Sequence, residues 1–83
     1  MNDMPRRAQI RQFIVENFLY GDSGVSFADE DSLLDQGLID STGILELVMF
    51  LEETYGVSVE DVELTPENLD SVQAIDSFVA GKL

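Results

Sequence analysis

Apolar residues recur every third or fourth position in three separate stretches of this chain, the spacing that places them on one face of a helix. The clearest stretch runs from Asp40 to Gly56. Ile44, Leu47, Val48, Leu51 and Tyr55 fall at helical spacing, Asp40 and Ser41 are both good helix caps, and Gly56 supplies a left-handed stop. At about 100° per residue, Ile44, Val48, Leu51 and Tyr55 form one inward stripe. Leu45 and Met49 lie well off its centre, so they are expected on the outside with Ser41 and Thr42, in an apolar patch fringed by Glu46, Glu52 and Glu53.

The first helix is predicted from Pro5, which suits a first turn, through Ile10, Phe13, Ile14, Val15, Phe18 and Leu19 to a stop at Gly21. A long connection follows, rich in turn formers, in which Val25, Phe27, Leu33, Leu34, Leu38 and Ile39 are expected to tack the chain to the core, with a helical turn around residues 32–35. Val57-Ser58-Val59 has no partner run and is taken as an extended connection. Thr65 and Pro66 open a short helix of about one turn as cap and first position. Asp70 and Gln73 then form a capping box for a last helix, with Val72, Ile75, Phe78 and Val79 inward up to Gly81. The pattern gives an all-α fold, a small antiparallel bundle of three main helices and one short helix with a long first loop, over a single domain of residues 1–83.

Charge narrows the function. There are 17 acidic residues against 4 basic ones, a net charge of −13, and residues 12–81 hold 16 carboxylates and no cation. Such a surface repels nucleic acid and anionic membranes and attracts proteins with basic patches. It should also stress the folded state by self-repulsion, so that added salt and mild acidification stabilise it. Arg6, Arg7 and Arg11 sit where the helix dipole disfavours positive charge and are expected to pair with carboxylates elsewhere. The chain has no cysteine and no histidine, which argues against thiol chemistry and against serine hydrolysis. No apolar run follows the first arginines as a secretion signal would require, so a cytoplasmic protein is expected. The cluster Asp29-Glu30-Asp31 fails as a calcium loop, because Leu34 and Asp40 stand where glycine and glutamate are needed.

The segment Gly37-Leu38-Ile39-Asp40-Ser41, continued by Leu45-Glu46-Leu47-Val48-Met49 and Leu51-Glu52-Glu53, resembles the acyl carrier proteins. The resemblance runs from about Leu33 to the C-terminus. It implies that Ser41, with Asp40 beside it, carries a 4′-phosphopantetheine arm through a phosphodiester, and that the arm's thiol holds acyl or aminoacyl groups as thioesters. A phosphate suits a helix start, where unpaired N–H groups and the positive end of the dipole meet it. The implied partners are a phosphopantetheinyl transferase, a loading ligase and downstream biosynthetic enzymes with basic surfaces. They would be met by Thr42, Leu45 and Met49 as apolar contacts and by Asp40, Glu46, Glu52 and Glu53 as steering charges. Such a carrier performs no catalysis and is expected to act as a monomer. The family most often has leucine after the serine, so Thr42 and Gly43 point to a specialised carrier. Gly43 in the first turn costs the helix about 1 kcal/mol against alanine. The competing reading is an acidic adaptor or divalent-cation module in which Ser41 is only a helix cap.

Overall fold

The computed structural model describes residues 5–19 and 27–83, and among them every regular element is helical. The helices are α1 (Arg6–Phe18), α2 (Ser41–Tyr55), α3 (Pro66–Leu69) and α4 (Val72–Lys82), with a 3₁₀ turn over Asp61–Glu63 before α3. α4 packs against both α1 and α3, and α2 runs against α1. The centre is made of Ile10 and Ile14 of α1, Leu47 and Leu51 of α2, Leu69 of α3, and Val72, Ile75 and Val79 of α4, joined by Leu33 from the first connection. Each such side chain gains about 1.5–3 kcal/mol from leaving water.

The described part of the first connection, residues 27–40, lies along this core as a strap. Phe27, Leu33 and Ile39 are buried and Leu38 is half-buried, but Leu34, expected inward, is exposed, and Val25 lies outside the described residues. Asp70 holds the strap in place. Its carbonyl accepts from the Leu33 N–H at 2.7 Å, one carboxylate oxygen accepts from the Leu34 N–H at 2.9 Å, and the other accepts from the Ser32 hydroxyl. The turn expected around residues 32–35 is present, closed by Gln36 N–H to the Ser32 carbonyl at 3.0 Å and leaving through Gly37 at φ +70°.

That use of Asp70 overturns the expected start of the last helix. Ser71 is the cap, its hydroxyl accepting from the Ala74 N–H at 3.0 Å, and the Asp70–Gln73 box does not form because the Asp70 carboxylate is turned to the strap. α4 also continues past Gly81 to Lys82, whose ammonium meets Glu63 at 2.6 Å. α1 ends at Phe18 with Leu19 as its cap, before the predicted stop, and Gly21 lies outside the described residues. Pro66 opens α3 as expected, yet the Thr65 side chain makes no cap hydrogen bond. The 3₁₀ turn, which periodicity does not reveal, is closed by the Glu60 N–H donating to Glu63 Oε1 at 3.0 Å.

The arginines pair as their position in α1 predicts. Arg6 and Arg7 meet Asp76 of α4 at 2.6 and 3.0 Å, while Arg7 and Arg11 meet Asp29 of the strap at 3.5 and 3.2 Å. Arg11 also donates to the Phe27 carbonyl and lies over the Phe27 ring, 4.3 Å from its centre. Burial opposes ionisation of Asp76, but the hydrogen bonds from Arg7 and Arg6 outweigh it and hold its carboxyl below the usual range. The Lys82 hydrogen bond, aided by the Glu60 N–H, lowers Glu63 in the same direction.

Candidate functional site at the start of the second helix

Asp40 is the N-cap of α2: its backbone is extended and its Oδ1 accepts from the Gly43 N–H at 2.7 Å. Of the two candidate caps it therefore takes the role, and Ser41 becomes the first helical residue. The Ser41 side chain is exposed, and its hydroxyl has no hydrogen-bond partner among the described residues. The first N–H groups of a helix have no partner within it, so the positive end of α2 lies beside this hydroxyl. Gly43 is buried under the same turn, because Phe18 and Ile39 close over it.

Ser41 opens onto a groove of about 290 Å³ between the start of α2 and α3. Leu34, Ile44, Leu45, Leu64 and Leu69 make its apolar walls, and Thr65 and Asp70 join Ser41 among its polar members. Leu45, 55% exposed, is thus a wall of the serine's own groove. Met49, 59% exposed, belongs to a different groove on the α1 side, with Glu46 and Glu53. The structure accordingly divides what spacing alone places in one patch: Ser41 and Leu45 are brought together, and so are Glu46, Met49 and Glu53, but the two sets face different neighbours. Thr42 is exposed in the first turn. Glu52 is half-buried, and its Oε2 accepts from the Val59 N–H at 2.9 Å, which ties the end of α2 to the chain that follows. Tyr55, one turn further on, has its phenol pushed above the usual range by burial, and it donates to Gln9 Oε1 at 2.7 Å.

The residues that sequence reasoning did not link to Ser41 are those of the opposite wall, Leu34, Leu64, Thr65 and Leu69. Thr65-Pro66 is readable as a helix start, but nothing in spacing says that this start faces another one. Chemically, an exposed primary hydroxyl whose neighbouring carboxylates, Asp40 and Asp70, are spent on the Gly43 N–H and on the strap is suited to being modified by another enzyme rather than to attacking a substrate unaided. A phosphodiester on Ser41 Oγ would have the positive end of α2 next to it and an apolar groove within reach, so these residues fit a phosphate-linked arm. Among the described residues no three potential metal ligands are gathered at one place, and no helix is long and apolar enough to cross a membrane.

No protein-family model matches the chain. A curated protein from Abiotrophia defectiva, described as a D-alanyl carrier protein, is 33% identical over 48 residues. The match takes in 58% of this chain and 61% of the relative's length. The resemblance to stand-alone carriers of the acyl-carrier type, carried in the sequence by Asp40-Ser41 and the helix after it, is supported by this relative and by the all-helical fold.

Proposed function

We propose that residues 1–83 form one carrier domain, in which Ser41 bears a covalently attached 4′-phosphopantetheine and presents acyl or aminoacyl groups to partner enzymes. The observation that carries this reading is the Ser41 hydroxyl itself: exposed, left free because Asp40 caps the helix, and placed at the mouth of an apolar groove. The similarity to a D-alanyl carrier protein supports it. When bound, the arm supplies the thiol that holds the cargo. The protein's own part is to hold the attachment point at a helix start that tolerates negative charge, with Asp40 fixing the first turn. Thr42 and Leu45 beside the serine, and Glu46, Met49 and Glu53 further along, form the surface offered to a phosphopantetheinyl transferase, a loading ligase and later enzymes. Glu52 adds charge there from a carboxylate bonded to Val59. The reading assigns no catalysis to the chain and places it in the cytoplasm as a monomer.

The test is an intact mass after co-expression with a phosphopantetheinyl transferase. The unmodified sequence should gain one arm, and Ser41→Ala should gain none while keeping its helicity. Ser41 is an exposed first-turn residue whose side chain bonds nothing, so the variant should lie within about 0.5 kcal/mol of the parent. A parent that stays unmodified, or an alanine variant that still gains the arm, overturns the assignment.

A further inference from the structure

The turn within the strap is fastened to the rest of the protein in a way that the attachment of an arm at Ser41 does not explain. Residues 34–37 are exposed, and the turn is closed on itself: the Asp35 N–H donates to Ser32 Oγ at 3.1 Å, the Gln36 N–H to the Ser32 carbonyl at 3.0 Å and the Gly37 N–H to the Leu34 carbonyl at 3.1 Å. Among the described residues, only one hydrogen bond of residues 34–37 reaches beyond the turn, from the Leu34 N–H to Asp70 Oδ1 at 2.9 Å. The Ser32 hydroxyl, bonded to the other oxygen, aims that carboxylate. On either side the chain is anchored, by the buried Leu33 before the turn and the buried Ile39 after it.

Asp70 also lines the groove beside Ser41, and Leu34 is part of its wall. The bond that holds the turn therefore ends on a residue of the groove itself. Leu34 is 40% exposed and Leu45, which lines the same groove from α2, 55%. Each has apolar surface that an occupant of the groove would cover, with a gain from leaving water. Both Asp70 oxygens are spent on the strap, so the groove has little polar contact left to give. A charged or strongly polar occupant would lose its water there without replacement. These walls suit a neutral apolar chain, and the free Ser41 hydroxyl at the mouth suits one tethered at that point.

We propose that residues 34–37 form a hinged wall of the Ser41 groove with Asp70 as its latch, and that an apolar chain tethered at Ser41 closes this wall. With the latch made, Leu34 covers the occupant together with Leu45. With it broken, the turn pivots between Leu33 and Gly37, whose φ of +70° favours glycine, and the cover is lost. An occupant that gains cover only in the latched form shifts the turn towards that form. The outer face of residues 34–37 is then firm when the groove is filled and loose when it is empty, a difference that a partner enzyme can read without touching the occupant. The inference rests on the carrier reading for the source of the tethered chain, whereas the latch is built from this chain's residues alone.

The experiment uses Ser41→Cys, since the chain has no cysteine of its own and position 41 is exposed. The thiol is alkylated with N-hexylmaleimide or, as the control, with N-(2-hydroxyethyl)maleimide, so the two products differ only in an apolar or a polar tail and no transferase is involved. Amide exchange followed by NMR should be about fivefold slower at Leu34 in the hexyl product than in the control, with the amides of α1 and α4 unchanged. Leu34→Ser, which keeps the N–H donated to Asp70 but not the apolar wall, should abolish the difference, and so should Asp70→Ala, which removes the latch. Three outcomes overturn the proposal: equal exchange at Leu34 in the two products, protection spread evenly over α1 and α4, or undiminished protection in either variant. Protection by the hexyl tail in a protein whose Ser41 parent never gains an arm from a transferase would uphold the hinged wall while removing the carrier reading.

Discussion

A methyl group placed on Gly43 would lie 2.8 Å from Ile39 Cγ1 and from Phe18 Cε1, and 3.3 Å from the Asp40 carboxylate that caps the helix. The sequence shows only that glycine in a first turn costs α2 about 1 kcal/mol. It does not show why the cost is borne, because Phe18 and Gly43 meet only when α1 and the strap close over the start of α2. Overpacking of this kind costs about 1–3 kcal/mol, more than the helix gains from alanine. Gly43→Ala is accordingly expected to lose about 1 kcal/mol in urea melts and, on the proposed carrier function, to slow arm transfer, since the turn that would move carries Ser41. A variant more stable than the parent would show that Phe18 swings aside freely. The choice of cap was legible to within one residue: Asp40 and Ser41 share the chemistry of a cap, and only the structure shows which of them is spent on it.

Asp70 teaches the same lesson at the level of elements. The pair Asp70-Ser71 offers two caps for one helix, and α4 uses the second, which frees the first to grip the strap through Ser32 and Leu34. Helix starts and stops that depend on local chemistry were readable, as at Asp40, Gly56 and Pro66. The groove wall opposite Ser41 was not, because its members come from the strap, the chain before α3 and α3 itself, and no local pattern joins them. Asp70→Ala should cost about 1–3 kcal/mol, as the loss of two hydrogen bonds to a carboxylate implies. Hydrogen exchange should then speed up over residues 32–38 while α4 stays protected. Ser71→Ala, costing about 1 kcal/mol, should do the reverse. If both variants loosen the same amides, strap and helix start are one cooperative unit.

Across the whole molecule, charge crowding was legible from composition, but its relief was not. Arg6, Arg7 and Arg11 gather on Asp29 and Asp76, which neutralises carboxylates from the strap and from α4 at one place. Composition leads one to expect mild acidification to help. For the two carboxyls clearly displaced, Asp76 and Glu63, the sign is the opposite. Each titrates lower folded than unfolded, so its stabilisation is complete above the ordinary carboxylate range and fades as pH falls through about 4 and below. Melting temperatures between pH 7 and pH 3 should therefore decline at the acid end. Asp76→Asn should be less stable at pH 7 by about 1–3 kcal/mol and should show a flatter acid limb. An acid limb unchanged in that variant would place the pH response in other groups.

The pairing of α1 with α4 sets the stage of synthesis at which this bundle can close. Arg6 and Asp76 are 70 residues apart, and Ile10 and Ile14 share their core with Val72, Ile75 and Val79. A chain emerging N-terminus first must therefore carry the apolar face of α1 without its principal cover until α4 has been made. Its arginines likewise wait for Asp76. Contacts this distant in sequence close a large loop before they return any stability, so assembly of the bundle waits until α4 has been made. A product stopped before α4 would expose that face to chaperones and proteases instead of settling as a partial bundle.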